Sequence, residues 1–183
     1  IKNSDGIIFI YSNWIKSGIV PLVLALEQNG YTRSDRKEVL KGSKNIEKIS
    51  YEGKYKSEYS DSKDFKSANY LVISGSELNS NNLEEELKLV TSDENKNGEI
   101  IKIVIGSTVA SEGLDFKNIR SIHILEPWHN INKLEQVIGR GIRNCSHKNL
   151  IEKDRNVTIY LHNSMISDIE SIDIYLYRYS EYK

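Results

Sequence analysis

Apolar positions in this chain fall into short runs separated by polar stretches, and the runs are of two kinds. Gly6–Tyr11 (GIIFIY), Tyr70–Ser74 (YLVIS), Ile100–Ile105 and Ile119–Leu125 (IRSIHIL) are rich in β-branched and aromatic residues, with little polar interruption. Such runs predict strands buried on both faces. Asn156–His162 predicts one more strand. The other kind follows helical spacing. Ser17 is the expected cap of a helix over Gly18–Gln28, with Pro21 in its first turn, where a missing N–H costs little, and Asn29-Gly30 as its stop. Helices are also predicted over Leu83–Val90, Ile131–Arg143 and Ser171–Tyr179, with a turn at Ser92–Gly98. Strands alternate with helices and no tight hairpin signal joins them. That order predicts one α/β domain over residues 1–183, built on a parallel sheet with helices on both faces.

Residues 32–68 break the pattern. They are rich in Lys, Ser, Glu, Asp and Tyr, with periodicity only for a short helix around Arg36–Lys41. We read them as a polar surface insertion whose tyrosines, Tyr51, Tyr55 and Tyr59, pack locally. Contact of this Tyr/Lys mixture with a nucleic-acid strand is the less favoured reading.

Composition narrows the class. The chain has 183 residues, 38% hydrophobic and 28% charged, which suits one domain with a real core. No apolar run approaches the roughly 18–20 residues of a membrane span, so no membrane partner is expected. The net charge of −1 gives no bulk support for a polyanion partner. A single cysteine, Cys145, excludes an internal disulfide and fits a reducing intracellular compartment. There is no secretory signal, and the abrupt start at Ile1 leads us to expect a piece of a longer protein.

Chemistry concentrates in residues 101–143. On a helix over INKLEQVIGRGIR, Leu134, Val137, Ile138 and Ile142 share one side, and Gln136, Arg140 and Arg143 the other. Gly139 and Gly141 each cost about 1 kcal/mol relative to alanine, so a close approach to the backbone is expected there. Two guanidiniums and an amide on one face suit a polyphosphate. Upstream, IKIVIGSTVASEGLDF carries Ser107 and Thr108 just past a strand end, where parallel sheets bind ligands and a backbone phosphate would be held. Asp115 follows a glycine by two positions, placed to accept from a ribose hydroxyl or to orient an arginine.

STVASEGLD followed by QVIGRGIR resembles motifs V and VI of superfamily 2 helicases and translocases. GIIFIYSNW sits where motif IV would be, and YLVISG resembles the strand after it. The stretch from Ile122 to Leu150 looks closest to helicases and early-transcription ATPases of large cytoplasmic DNA viruses. The resemblance implies the C-terminal RecA-like domain of such a protein. It further implies that Arg140 is an arginine finger reaching the γ-phosphate of ATP, with Arg143 as second arginine and Gln136 as leading glutamine. Gly113 and Asp115 then border the nucleotide, and Ser107 contacts a DNA or RNA backbone phosphate. Thr108 stands where many relatives carry Asp, and Ser12 and Asn13 would assist at motif IV. Cofactors implied are ATP and Mg²⁺, and the partners are a DNA or RNA backbone, an N-terminal RecA-like domain of the same protein, and viral transcription machinery. The place implied is host cytoplasm or virion.

No G-x-x-x-x-G-K-[ST] and no acidic box for Mg²⁺ occur in the sequence. The Mg²⁺ ligands are therefore expected from the N-terminal domain, and this chain alone is expected to be inactive. The alternative is an ATPase-inactive RecA-like scaffold in a viral transcription complex. Cys145, His147, His123 and His129 lack zinc spacing. His123 is read as a packed core residue, Trp128 as either a stacking platform or a loop anchor, and Glu84-Glu85-Glu86 as a solvated helix face.

Overall fold

The chain is described by a computed structural model covering all residues except 43, 44, 76, 77, 80, 81, 109–114, 129, 166–168 and 183. Its centre is β1 (Ile7–Tyr11), whose five residues are all buried because the sheet is covered on both faces. Ile7, Phe9 and Tyr11 face one core layer and Ile8 and Ile10 the other. The further strands are β2 (Thr32–Arg33), β3 (Asn69–Ile73), β4 (Ile103–Gly106), β5 (Ile119–Ile124) and β6 (Thr158–Leu161). They form one six-stranded sheet in the order β2-β3-β4-β1-β5-β6, and every pairing is parallel. The helices are α1 (Val20–Gln28), α2 (Leu83–Val90), α3 (Ile131–Gly141) and α4 (Ile172–Glu181).

Several expectations are corrected. Ser17 does not cap α1: it lies inside a π-helical turn, Ile15–Ile19, that leads directly into the helix. Pro21 does sit at the start of α1 as expected. No helix forms over Arg36–Lys41, because the Val39 and Leu40 amides turn inward to the buried Glu27 carboxylate at 2.9 and 2.5 Å. The polar stretch is also not all surface. Thr32 and Arg33 pair with β3, and Ile49, Ser50 and Ala68 are buried. Glu86 leaves the solvated face assigned to its acidic neighbours and is buried, on the same side of α2 as Val90.

At the other edge β6 forms within the span predicted for a strand, and all four of its residues are exposed. Helix α3 stops at Gly141, two residues short of Arg143, and Ile142 is 46% exposed instead of packed. The segment beyond α3 is drawn back to the start of β5, where the Asn118 amide donates to Ser146 O at 3.1 Å and His147 Nε2 lies 2.6 Å from Ile119 O.

Candidate nucleotide and nucleic-acid interface

The predicted site residues fall into two clusters. One lies beyond the carboxyl ends of the strands. Ser12 is fully buried just after β1, where its hydroxyl donates to Glu126 Oε1 and accepts from the Trp14 amide at 3.1 Å. The Asn13 amide donates to Glu126 Oε2 at 3.2 Å, and Asn13 Oδ1 accepts from the Tyr11 hydroxyl at 2.8 Å. Burial pushes the Glu126 carboxyl above its usual range, against the lowering pull of the Ser12 and Asn13 hydrogen bonds. Burial likewise raises Tyr11, while a hydrogen bond with Thr108 opposes that rise.

Ser107 belongs to this edge but is turned inward. It is 3% exposed, its hydroxyl donates to Ser74 O at 3.2 Å, and its amide donates to Ile73 O at 2.9 Å. Thr108, the next residue, is exposed. The edge thus offers Thr108 outward, with Ser107 securing the turn beneath it.

The second cluster lies on one flank. Helix α3 returns antiparallel to β5, held by the contact expected of a helix glycine: a Cβ on Gly141 would come within 2.8 Å of Ile122 Cδ1 and 3.3 Å of Ile119 Cγ2. Gly139 has no such neighbour within 4 Å, so close packing accounts for one glycine and not the other. Leu134 and Val137 are buried, Gln136 is exposed and Arg140 is half-buried. Arg143 lies past the helix end and pairs with Asp115 at 2.5 Å, both side chains being substantially exposed. Asp115 therefore meets an arginine, one of the two partners expected of it. Gly113 lies outside the described residues.

Sequence reasoning missed Glu126, which ties the end of β5 to the loop after β1. The available signal was a carboxylate closing an apolar strand. It also missed Gly18, whose missing side chain leaves the space that Ser12 Oγ and the Glu126 carboxylate occupy. Trp128 packs against the core with Lys133 Nζ 4.3 Å from its ring centre, which suits the loop anchor. Trp14, beside the Ser12–Glu126 network, is 58% exposed. His123 is buried as expected, stacks on Tyr160 and sits 2.9 Å from His162 Nε2. Burial, with His162 adding to it, lowers its pKa to about 4. Among the described residues no group of three His, Cys, Asp or Glu is placed to hold a metal ion.

A six-stranded, all-parallel sheet in this order, with core layers on both faces, defines a RecA-like α/β domain. The chain belongs to the helicase conserved C-terminal domain family, which matches residues 22–145. It is 33% identical over 166 residues to a putative ATP-dependent RNA helicase, L377, of Acanthamoeba polyphaga mimivirus, covering 84% of this chain and 14% of that protein. It is 32% identical over 171 residues to the early transcription factor large subunit homolog of an African swine fever virus isolate, covering 92% of this chain and 15% of that protein. This chain thus spans a small part of the length of either relative. Among solved structures, the C-terminal part of the Fun30 ATPase domain superposes with a TM-score of 0.51 at 15% identity, covering 96% of this chain and 39% of that one. The fold is RecA-like, and the resemblance to proteins of large DNA viruses holds.

Proposed function

We propose that this domain is the arginine-supplying half of a nucleic-acid-dependent ATPase motor. The observation that carries the reading is the Asp115–Arg143 pair, which joins the segment after β4 to the end of α3. A motor needs that coupling between its track and its nucleotide. Gln136, Arg140 and Arg143 form a donor set with the chemistry of a polyphosphate site, because guanidinium groups donate hydrogen bonds and accept none. An ATP phosphate group bound between this domain and an N-terminal RecA-like domain would meet Arg140 as finger, with Arg143 and Gln136 beside it. Mg²⁺ ligands would come from that other domain. Asp115 orients Arg143, and Gly113 borders the same nucleotide.

The carboxyl edge is the track. Exposed Thr108, whose hydroxyl would turn from Tyr11 to a DNA or RNA backbone phosphate, stands above Ser107, which holds the turn, and Ser12 and Asn13 shape the adjoining loop. Exposed Trp14 offers a face for a base to stack on. Backbone contacts carry little base information, so sequence preference is low. The viral transcription relative makes transcription machinery a fitting partner.

The test is ATP hydrolysis by the full-length protein with and without single-stranded DNA or RNA. Stimulated turnover is expected to fall by about a thousandfold or more in Arg140→Ala. Absence of turnover under every condition, despite an intact phosphate-binding loop in the neighbouring domain, would favour the inactive scaffold instead.

A further inference from the structure

The amino ends of the strands, opposite the proposed track, carry a polar cleft of about 470 Å³. Lys102, just before β4, and Arg120, in β5, both line it. A second hollow of about 300 Å³ adjoins it through Asn3, Ser4, Asp5 and Arg120. No residue of either hollow belongs to the Gln136–Arg143 cluster.

Both cations are sunk into the protein. Lys102 is 4% exposed and donates to Ser4 O at 2.7 Å, which engages one of the three donors of an ammonium. The Arg120 side chain is 13% exposed, and one nitrogen donates to Asn156 Oδ1 at 3.1 Å. Its buried Nε has no hydrogen-bond partner, and neither does the buried Ser121 Oγ beside it. Arg120 Nη1 forms a salt bridge with Asp154 Oδ1 at 3.6 Å. Asp5 acts on Lys102 only through space, and Glu52 is engaged with Tyr51, Tyr59 and Lys54.

Two glycines make room for the cationic stems. Gly6, at φ +61°, lies where a Cβ would collide with Arg120 Cγ. Gly98, at φ +76°, lies where a Cβ would stand 3.1 Å from Lys102 Cδ. Burying two like charges in one cleft costs stability, which Asp154 at Arg120 and Asp5 near Lys102 partly offset. Burial, with Arg120 adding to it and Asp5 opposing, brings the Lys102 pKa down to about 8.

We propose that this amino-edge cleft binds a phosphate-class anion, clasped between the Arg120 guanidinium and the Lys102 ammonium. Arg120 Nη1 and Nη2 would turn from Asp154 and Asn156 to two anion oxygens, and lysine would add a point charge to a third. Lys153 at the mouth adds long-range attraction, while Lys2 rests over the Tyr55 ring at 4.4 Å. The anion is either a free diphosphate or the terminal phosphate of a nucleic acid, since both present the same oxygens.

Calorimetry with inorganic pyrophosphate tests this on the 183-residue chain. Binding is expected in wild type, to persist in the Arg140→Ala, Arg143→Ala double variant, and to weaken about tenfold or more in Arg120→Gln. Loss in the double variant with no effect of Arg120→Gln would place the anion at the ATP-facing arginines and overturn the proposal, as would no binding at all. Should Arg120→Gln fail to fold, wild type and the double variant still decide. Tighter binding of a 5′-phosphorylated oligonucleotide than of its 5′-hydroxyl twin would name the nucleic-acid end as the source. Equal binding of the two, with pyrophosphate retained, would name the free anion.

Discussion

Glu126 closes β5 with its carboxylate turned inward, where Ser12 and Asn13 both donate to it. Burial holds its pKa above the usual carboxylate value, so the folded chain keeps this proton to higher pH than the unfolded chain does. The stabilisation from this group is complete below the unfolded value and is lost as pH rises through the folded one. Glu126→Gln removes the titration and leaves the shape. The unfolding free energy of wild type relative to Glu126→Gln, measured in urea, is therefore expected to fall as pH rises above the ordinary carboxylate range. A difference that stays flat with pH would show that the carboxylate is no more costly in the fold than in water. Glu126→Ala is expected to lose about 1–3 kcal/mol at any of these pH values, because it orphans the Asn13 amide and frees the Ser12 hydroxyl. The sequence could show a charged residue at a strand end, but not which distant chain segment, the loop after β1, would be its partner.

Helix α3 shows what periodicity can and cannot reveal. Leu134 and Val137 fall on the buried face as the 3.6-residue period requires. The C-terminus does not follow from that period, because tertiary hydrogen bonds set it: the chain leaves the helix so that Ser146 O and His147 can reach the start of β5. Arg143 is therefore held near Asp115 by the return of the chain and not by helical phase. The same limit explains β2, a two-residue strand too short to leave a pattern, and β6, whose apolar sequence sits at an exposed edge. The central strands were legible because burial on both faces demands unbroken apolar runs. The two helix glycines separate packing from propensity. Gly139→Ala meets open space and is expected to stabilise by about 1 kcal/mol. Gly141→Ala gains the same propensity but presses on Ile122 at 2.8 Å and Ile119 at 3.3 Å, so it is expected to gain nothing or to destabilise. Thermal unfolding of both variants checks this, and equal stabilisation would remove the packing account of Gly141.

Across the whole molecule, the proposed roles are spread over one parallel sheet: the proposed track at the carboxyl edge, the proposed ATP-facing arginines on the α3 flank, and the proposed anion cleft at the amino edge. The residues proposed for the first two could be picked out through the resemblance of residues 101–143, because their motifs are contiguous along the chain. Those of the cleft could not, since its parts come from the starts of separate strands. The same distribution bears on catalysis. Arginine donors lower a phosphoryl-transfer barrier only when the phosphates, metal and attacking water are already held opposite them. This chain carries no G-x-x-x-x-G-K-[ST] sequence, and its described residues gather no acidic group for a metal. The purified 183-residue chain is accordingly expected to hydrolyse ATP no faster than buffer, in the presence or absence of single-stranded nucleic acid. Phosphate release that exceeds buffer and collapses in Arg140→Ala would mean that this domain holds a complete site, and the division of labour between two domains would have to be abandoned.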